Sequence, residues 1–380
     1  MKNVVIAGYA RSPFTFASKG ELKRVRPDDL AAHVVKALVE RTGVKPEDIE
    51  DLIVGCAFPE GEQGFNVGRL IGFLSEVLPI SVAGVTVNRF CGSSMQSIHM
   101  AAGAIQMNAG DAFVCAGVES MSRVPMSGFN PMPNPDLYES NPGAYMAMGQ
   151  TAENLAQKYQ ITREDQEAFA VVSQKRAAAA RAEGRLRDEI VPVSDDGSEV
   201  SEDGCIRPDT DAQGLSGLRP AFSVDGSVTA GTSSPLTDGA SATLVCSEEY
   251  AESNGLEPLA RIKSIAVGGC APEIMGIGPV GATRKAIARA GIALDEVGVV
   301  ELNEAFAVQA MACMQELGLD HGIVNIDGGA IALGHPLGAT GARITGKAAS
   351  LLKREGKQFA LATQCIGGGQ GIATILEAVS

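Results

Sequence analysis

The sequence predicts an α/β protein with a mostly parallel sheet that is covered by helices on both faces. Two observations support this fold class: apolar runs alternate with helical patterns, and one such unit occurs twice. Short apolar runs lie at 3–8, 49–57 and 81–88, and an amphipathic helical pattern at 29–43 lies between the first two. Strands that alternate with helices are typical of parallel sheets.

An internal repeat indicates the duplication. Three segments of the first half correspond, in the same order, to three of the second: 43–57 to 291–305, 87–94 to 324–331, and 111–120 to 358–369. In the first pair, a glycine cap, an acidic turn and an apolar strand follow a helix in both halves. The chain ends with a helix over 341–356, a strand over 358–365 and a last strand over 371–379.

The two halves are separated by a segment of different texture. Residues 121–149 are rich in Pro, Met and Asn and predict a long excursion over a surface. Thr162 and Asp165 then form a capping-box pattern that predicts the start of a helix. We therefore predict an insertion of about residues 120–236, after which SSPLTDGASATLVCSEE returns to the first sheet.

The composition limits the classes of function. The 380 residues carry a net charge of −14, and this charge argues against general binding to nucleic acid or to an anionic membrane surface. No apolar run approaches the roughly eighteen residues that a membrane span needs, and the first residues lack a signal-peptide cleavage site. Eight cysteines without a CxxC pair predict neither a zinc site nor a disulfide framework. We expect a globular cytoplasmic protein.

Cys91 is the first candidate for chemistry. In VNRFCGSSMQS it follows an apolar run and precedes small residues that open a helical pattern. At a helix N-terminus, free backbone N–H groups and the helix dipole favour a thiolate, and Gly92 and Ser93 let a substrate come close. The alternative is an unreactive core thiol, because free cysteines are commonly buried.

Three further side chains lie where glycines or a strand end interrupt regular structure. His335 lies in GGAIALGHPLGATGAR, where glycines and Pro336 force an irregular backbone before a helix. Cys365 ends a strand and precedes three glycines, whose N–H groups suit phosphate weakly and an oxyanion better. Asn303 follows the apolar run VGVVEL. Each position also fits an ordinary loop or turn residue.

Four motifs together resemble those of the thiolase family, the acetyl-CoA acyltransferases. They are CGSS from Cys91, NEAF from Asn303, GHP from Gly334 and CIGGG from Cys365, and they agree in type, order and approximate spacing. The similarity extends over essentially the whole chain. It implies a thiolase-like fold of two α/β halves, each with a mixed five-stranded sheet and helices on both faces. A pseudo-twofold axis relates the halves, and a loop domain is inserted between them.

The resemblance also implies a division into three domains and an oligomer. Residues 1–120 and 237–256 would form the half with the nucleophile, 121–236 the loop domain that binds coenzyme A, and 257–380 the half with the histidine and the second cysteine. The family forms homodimers or dimers of dimers. A hydratase/dehydrogenase subunit of fatty-acid β-oxidation is a further partner that the resemblance suggests.

By resemblance, five residues form the catalytic centre. Cys91 would be the acylated nucleophile, His335 would take its proton, and Cys365 would be the acid/base at the acetyl carbon. One oxyanion hole would be formed by His335 and a water held by Asn303, and the other by the backbone N–H groups of Cys91 and Gly367. No metal and no permanently bound cofactor is implied, and coenzyme A is a co-substrate.

The resemblance places coenzyme A against the insertion. Arg219 in LRPAF would face the nucleotide and Ser247 in LVCSEE the pantetheine. Met148, Ala305 and Phe306 would form apolar walls. Arg219 would then supply the local positive charge that a phosphate needs on an acidic protein, although an exposed Arg is normally only a solvated charge.

The resemblance leaves the direction of the reaction open. Short-chain biosynthetic thiolases carry His where this chain has Ala147, and SSPLTDGAS and VNRFCGSSMQ are more similar to degradative enzymes. We therefore expect a 3-ketoacyl-CoA thiolase of β-oxidation with acetoacetyl-CoA synthesis as the alternative. A ketoacyl synthase would pair its Cys with two His or with His and Asn. A non-catalytic acyl-CoA-binding scaffold would have lost a reactive residue, and a dehydrogenase would bind nicotinamide.

Overall fold

The computed structural model describes residues 2–195 and 197–379, and in this part the chain forms twelve strands and twelve α-helices. The strands are β1 (Val4–Arg11), β2 (Thr15–Phe16), β3 (Ile49–Gly55), β4 (Ala83–Val87), β5 (Ala112–Ser120), β6 (Val193–Asp195), β7 (Ser198–Val200), β8 (Thr237–Ser247), β9 (Ala260–Gly269), β10 (Val297–Leu302), β11 (Phe359–Ile366) and β12 (Gln370–Glu377). The helices are α1 (Pro27–Thr42), α2 (Val67–Leu74), α3 (Ser93–Gln106), α4 (Pro135–Ser140), α5 (Met148–Tyr159), α6 (Arg163–Ala182), α7 (Ala212–Ser216), α8 (Glu248–Asn254), α9 (Gly278–Ala290), α10 (Ala307–Leu317), α11 (Ala330–Leu333) and α12 (Leu337–Glu355).

Nine of the strands form one continuous path in the order β4-β3-β5-β8-β1-β9-β12-β11-β10. Strand β3 is parallel to β4 and β5, and β10 is parallel to β11, but the other pairs along this path are antiparallel. The expectation of a mostly parallel sheet is therefore wrong, and the sheet is mixed. Strands β11 and β12 are joined by the short turn Gly367–Gly369, which leaves room only for an antiparallel return.

The predicted duplication is visible in the strand order. The first half has the order β4-β3-β5-β8-β1, and the second half has the equivalent order β10-β11-β12-β9. The position of a fifth strand is taken in the second half by Val324, which forms a single parallel bridge to Val300. The halves join where Val5 and Ile6 of β1 pair with β9.

Helices α3 and α12 pack against each other in the centre of the molecule. Every residue of α12 from Leu337 to Ala349 is buried. Its sequence is rich in Gly, Ala and Thr because other backbones come very close: a Cβ on Gly341 would lie 2.2 Å from the Met95 nitrogen of α3. Helices α1, α9 and α12 end at Gly43, Gly291 and Gly356 in the left-handed conformation that the sequence predicts.

The chain leaves the sheet after β5 and returns at β8, which pairs with β5 and β1. The intervening segment carries α4 to α7, and the capping box of Thr162 and Asp165 is present at the start of α6. The buried Arg11 of β1 ties this segment to the sheet through ion pairs with Glu189 and Asp203. The boundaries of the three domains stay a prediction. Within the described residues, no helix combines the length and the apolar character that crossing a bilayer requires.

Close contact between β5 and α12 gives a testable consequence for stability. A Cβ on Gly117 of β5 would lie 2.1 Å from the Gly338 carbonyl oxygen, whereas a Cβ on Gly103 of α3 would meet nothing within 4 Å. We expect Gly117→Ala to lower the free energy of unfolding by about 1–3 kcal/mol through overpacking. Gly103→Ala should raise it by up to about 1 kcal/mol, because alanine favours a helix.

Urea unfolding followed by circular dichroism at a fixed protein concentration measures both variants. Equal midpoints for Gly117→Ala and Gly103→Ala would show that β5 and α12 are not packed as described.

Candidate active site

The turn that carries Cys91 is held by local hydrogen bonds. It joins the end of β4 at Val87 to the start of α3 at Ser93. The Asn88 side-chain oxygen accepts the Phe90 N–H at 2.9 Å, and the Ser93 hydroxyl oxygen accepts the Arg89 N–H at 2.9 Å. Phe90 takes a positive φ of 42°, a strained conformation for a bulky residue. The turn thus presents Cys91, which is partly exposed, in a defined position.

The second half of the chain closes around this turn. The Gly367 N–H is close enough to the Cys91 sulfur to lower the pKa of its thiol. The Gln364 side-chain amide donates to the Cys91 carbonyl oxygen at 2.6 Å, and the Arg89 guanidinium donates to Gln370 at 2.7 Å. Cys365 lies between these partners at the end of β11 and is close enough for its charge to interact with Cys91. The structure therefore brings Cys91, Cys365 and Gly367 together.

His335 is buried and tightly held between α11 and α12. Its N–H donates to the Thr237 hydroxyl at 3.1 Å, and its Nδ1 lies 2.6 Å from the Thr340 hydroxyl. That hydroxyl donates its one hydrogen to the Pro336 carbonyl oxygen at 3.1 Å. We assign the proton to Nδ1, which then donates to Thr340 and leaves the lone pair on Nε2.

Asn303 lies beside this lone pair. Its side-chain nitrogen is 3.4 Å from His335 Nε2, and its backbone N–H donates to the Thr363 carbonyl oxygen at 3.0 Å. The ends of the parallel strands β10 and β11 therefore place Asn303 next to the segment that carries Cys365. The Asn303 side-chain oxygen is buried without a partner among the described residues.

Burial favours the neutral forms of the ionisable groups of the site. Burial raises the pKa of Cys91 to about 12, although the N–H groups of Gly367 and of Cys91 itself act in the opposite direction. Burial, and then the neighbouring Cys91, raise the pKa of Cys365 well above its ordinary value. Burial and the Arg343 charge lower the pKa of His335 to about 3. For Cys91, burial therefore opposes the thiolate that the helix N-terminus favours, and its effect on the pKa is larger than that of these N–H groups.

An apolar wall lies next to the two sulfurs. Ala305, Phe306 and Met148 belong to the same hydrophobic cluster as Cys365. A Cβ on Gly367 would lie 3.5 Å from the Met148 sulfur. The ring of Phe222, from the insertion, meets the ring of Phe306 edge to face at 5.8 Å.

Arg219 and Ser247, which were both expected to contact coenzyme A, lie in different parts of the structure. Arg219 is exposed, three residues before Phe222 in the chain. Ser247 is not in this region, and its assignment is corrected: it is buried, caps α8 and accepts the Tyr250 N–H. Thr237, which contacts His335, is at the other end of β8. Ten residues of strand separate the two ends by roughly 33 Å.

Sequence reasoning missed several residues of the site. Ser234 donates from both its N–H and its hydroxyl to the Ala305 carbonyl oxygen, which places Ser234 next to the apolar wall. Thr340 and Gln364 contact His335 and Cys91 directly. The signal for Thr340 was its place one helical turn after Pro336 in GHPLGATG.

A separate cleft lies away from the residues described above. A cleft of about 730 Å³ lies at the far end of α12, and none of the site residues described above lines it. In the part of the chain that the structure describes, no three His, Cys, Asp or Glu side chains form a group that could hold a metal ion.

Comparison with known proteins agrees with this geometry. The family models for the N-terminal and the C-terminal domain of thiolase match residues 4–249 and 256–378. The 3-ketoacyl-CoA thiolase of Bacillus subtilis (strain 168) is 50% identical over 390 residues, which cover 99% of this chain and 100% of that protein. The 3-ketoacyl-CoA thiolase of Pseudoalteromonas translucida (strain TAC 125) is 50% identical over 389 residues, which cover 100% of this chain and 100% of that protein.

Solved structures show the same fold. Human mitochondrial 3-ketoacyl-CoA thiolase in complex with CoA has a TM-score of 0.92 at 37% identity, with 100% of this chain and 98% of that chain covered. The Bacillus anthracis acetyl-CoA acetyltransferase has a TM-score of 0.91 at 40% identity, with 100% and 99% covered. The thiolase-like fold and the resemblance of the four motifs are thereby confirmed, and the chain belongs to the thiolase family.

Proposed function

We propose that this chain is a 3-ketoacyl-CoA thiolase, an acyltransferase that cleaves 3-ketoacyl-CoA with CoA to give acetyl-CoA and a shortened acyl-CoA. One observation carries the proposal: the Cys91 turn of the first half meets Cys365 and the Gly367 N–H of the second. His335 and Asn303 supply a lone pair and an amide from neighbouring loops. Similar proteins that are named 3-ketoacyl-CoA thiolase support it.

In the first half-reaction, the Cys91 sulfur attacks the ketone carbon while His335 Nε2 takes the thiol proton. The new S–C bond forms, the bond between C2 and C3 of the substrate breaks, and its electrons pass to the departing acetyl-CoA enolate. Cys365 protonates that carbon, so that acetyl-CoA leaves and Cys91 carries the shortened acyl group. The neutral pair of thiol and imidazole places no standing charge in the buried pocket before substrate arrives.

In the second half-reaction, the Cys365 thiolate takes the proton of the incoming CoA thiol. The CoA sulfur attacks the acyl carbon, the bond to Cys91 breaks, and the His335 imidazolium returns a proton to the Cys91 sulfur. The N–H groups of Cys91 and Gly367 stabilise the oxyanion at the acyl carbon. Protonated Nε2 of His335, beside Asn303, stabilises the enolate oxygen of acetyl-CoA.

Coenzyme A binds as co-substrate against the insertion, as a CoA complex of a similar human enzyme suggests. Met148, Ala305 and Phe306 line its apolar part, and Arg219 faces the nucleotide. We assign the contact with the pantetheine to Ser234, which bonds to Ala305 of the apolar wall, instead of to Ser247. Arg219 is exposed and free for a phosphate, since no carboxylate of the described residues forms an ion pair with it.

The degradative direction is favoured over condensation. Ala147 caps α5 without a side-chain hydrogen bond, next to Met148 in the apolar wall, so that it offers space and no polar contact to a short acyl group. Synthesis of acetoacetyl-CoA is the second candidate, because an acetyl-CoA acetyltransferase is among the similar structures. Eight free thiols fit the cytoplasm that we propose as location, and association with a hydratase/dehydrogenase subunit is proposed from the β-oxidation role alone.

The reaction and its direction can be tested together. We expect thiolysis of 3-ketoacyl-CoA substrates from about four to about sixteen carbons to favour medium or long chains, since each buried methylene contributes about 0.8 kcal/mol. Incubation with substrate without CoA should add one acyl group to the peptide that contains Cys91, as seen by mass spectrometry. Cys91→Ala should lose both signals. A maximum at the shortest substrate would favour the condensing enzyme, and no adduct with no thiolysis would favour a scaffold.

The tautomer of His335 gives a second prediction. Thr340→Val removes the acceptor for the buried Nδ1–H, so that Nε2 no longer reliably carries the lone pair. We expect kcat to fall roughly 10- to 100-fold with little change in KM. Thr340→Ser keeps the hydroxyl and should stay within about threefold of the wild type. Equal losses in the two variants would contradict this role of the hydroxyl.

We also propose a homodimer formed through β4. This strand is the outer strand of its half, and its neighbourhood exposes Phe65 (94%), Ile80 (79%) and Phe73 (50%). An edge strand with apolar neighbours is a template for pairing with a second copy. The dimer of dimers remains an alternative.

Phe65→Glu combined with Ile80→Glu should shift sedimentation from dimer toward monomer, because two carboxylates would be buried at the interface. Met132→Glu, at a similarly exposed position in the insertion, should leave the dimer intact. A dimer that resists the double substitution would place the interface elsewhere.

A further inference from the structure

Glu119, near the end of β5, carries a buried carboxylate that no cation of the described residues pairs with; it is 1% exposed. One carboxylate oxygen accepts the N–H of Ala57 at 2.8 Å and of Gly338 at 2.9 Å. The other accepts the N–H of Phe58 at 3.2 Å and the Gln63 amide at 2.8 Å. A buried charge is costly unless it is paired or fully hydrogen-bonded. Here, backbone N–H groups from two separate segments supply the hydrogen bonds to the carboxylate.

The first of these segments supports the Cys91 turn. The Cys56 N–H donates to the Val87 carbonyl oxygen at 3.0 Å, and the Asn88 amide donates to the Ala57 carbonyl oxygen at 3.0 Å. The rings of Phe58 and Phe90 lie 5.9 Å apart. Residues 56–58 therefore fix the turn that ends in Cys91, and Glu119 fixes residues 56–58.

The second segment is the start of α12. Gly338 is three residues after His335, and its N–H is one of the free donors at the N-terminus of a 19-residue helix. The helix dipole favours an anion at this place. Thr340, in the same turn, holds Nδ1 of His335. A single carboxylate thus connects the turn of the nucleophile to the helix start that orients the base.

We propose that Glu119 is a positioning residue for the thiolase reaction, which sets the separation of Cys91 and His335 by binding both of their supporting segments. This inference rests on the proposed function. It does not give Glu119 any contact with substrate.

The charge of Glu119 has a second effect on the site. It contributes to the raised pKa of Cys91, in addition to burial. Cys365 also couples electrostatically to Cys91, but its thiol is neutral. The negative charge of Glu119 therefore favours the neutral thiol of Cys91 over the thiolate until His335 takes the proton.

Glu304 provides a matched comparison. It is also 1% exposed and accepts hydrogen bonds from neutral donors: the Ser173 hydroxyl at 2.6 Å, the Asn325 amide at 2.8 Å and the Ile331 N–H at 3.2 Å. These bonds tie the turn after β10 to α11 and involve no residue of the Cys91 turn. Replacing Glu304 removes an equally buried carboxylate without removing the charge next to Cys91.

The experiment compares Glu119→Gln, Glu119→Asp and Glu304→Gln in the full chain. The rate of iodoacetamide alkylation of the Cys91 peptide is measured by mass spectrometry from about pH 6 to about pH 10. Steady-state thiolysis gives kcat and KM, and thermal unfolding gives the stability of each variant.

We expect Glu119→Gln to lower kcat by about tenfold or more, with KM within about threefold, because alignment and not binding is lost. Its alkylation rate at a given pH should rise by about threefold or more, since removing a negative charge lowers the pKa of the thiol. Glu119→Asp keeps the charge but shortens the reach, so that kcat should fall while the alkylation profile stays that of the wild type. Glu304→Gln should also keep the wild-type alkylation profile.

An unchanged kcat and an unchanged alkylation profile in Glu119→Gln would overturn the proposal. The same shift of the profile in Glu304→Gln would also overturn it, because the effect would then be general loosening. If Glu119→Gln does not fold, Glu119→Asp decides, and wild-type kcat in that variant would overturn the positioning role. Absence of thiolysis in the wild type would contradict the proposed function instead, and the alkylation comparison would still report on Glu119.

Discussion

The close approach of α12 to the first half of the chain is the constraint on which the site depends. A Cβ on Gly338 would lie 2.5 Å from the Val118 carbonyl oxygen, and a Cβ on Gly341 would lie 2.2 Å from the Met95 nitrogen. Helix and strands therefore meet backbone to backbone, and this contact holds the start of α12, which directly follows His335, against the strands of the first half. The glycine-rich sequence of α12 follows from this contact rather than from helix propensity, which glycine weakens.

The electrostatics of the site follow from the same burial. An imidazole whose pKa is about 3 and a thiol whose pKa is about 12 cannot form an ion pair at rest. Charge arises only when a substrate brings an electrophilic carbon and an oxygen that the N–H groups of Gly367 and Cys91 can stabilise. The free-energy cost of burying charge is therefore absent from the resting state and arises only in the reaction step.

Much of the fold could be predicted from the sequence because the signals were local or repeated. The glycine caps at Gly43 and Gly291 and the capping box at Thr162 depend only on neighbouring residues. Strand direction depends on distant partners, so that the prediction of a mostly parallel sheet was wrong. Ser247 was assigned from the resemblance alone, without knowledge of where β8 ends in the sheet. A polar residue at a strand end gives no sign of which end of the sheet it occupies until the pairing of β8 is known.

The catalytic residues were found from four motifs, whereas the residues that hold them were not. Glu119 and Thr340 read as an ordinary strand residue and an ordinary helix residue, and their partners lie on segments that only the tertiary structure brings together. The effect of burial on the pKa of Cys91 was missed for a related reason, because a helix N-terminus is visible in the sequence and the depth of burial is not.

The pairing of Val5 with Arg261 and of Ile6 with Ala260 joins the two halves into one ladder. A hinge motion between the halves would break these hydrogen bonds and expose the buried face of α12. We therefore expect the catalytic centre to stay closed at this junction. The insertion contributes Phe222 to the apolar wall, where its ring contacts that of Phe306. A substitution at Phe222 can therefore reshape this wall without disturbing the ladder that joins the two halves.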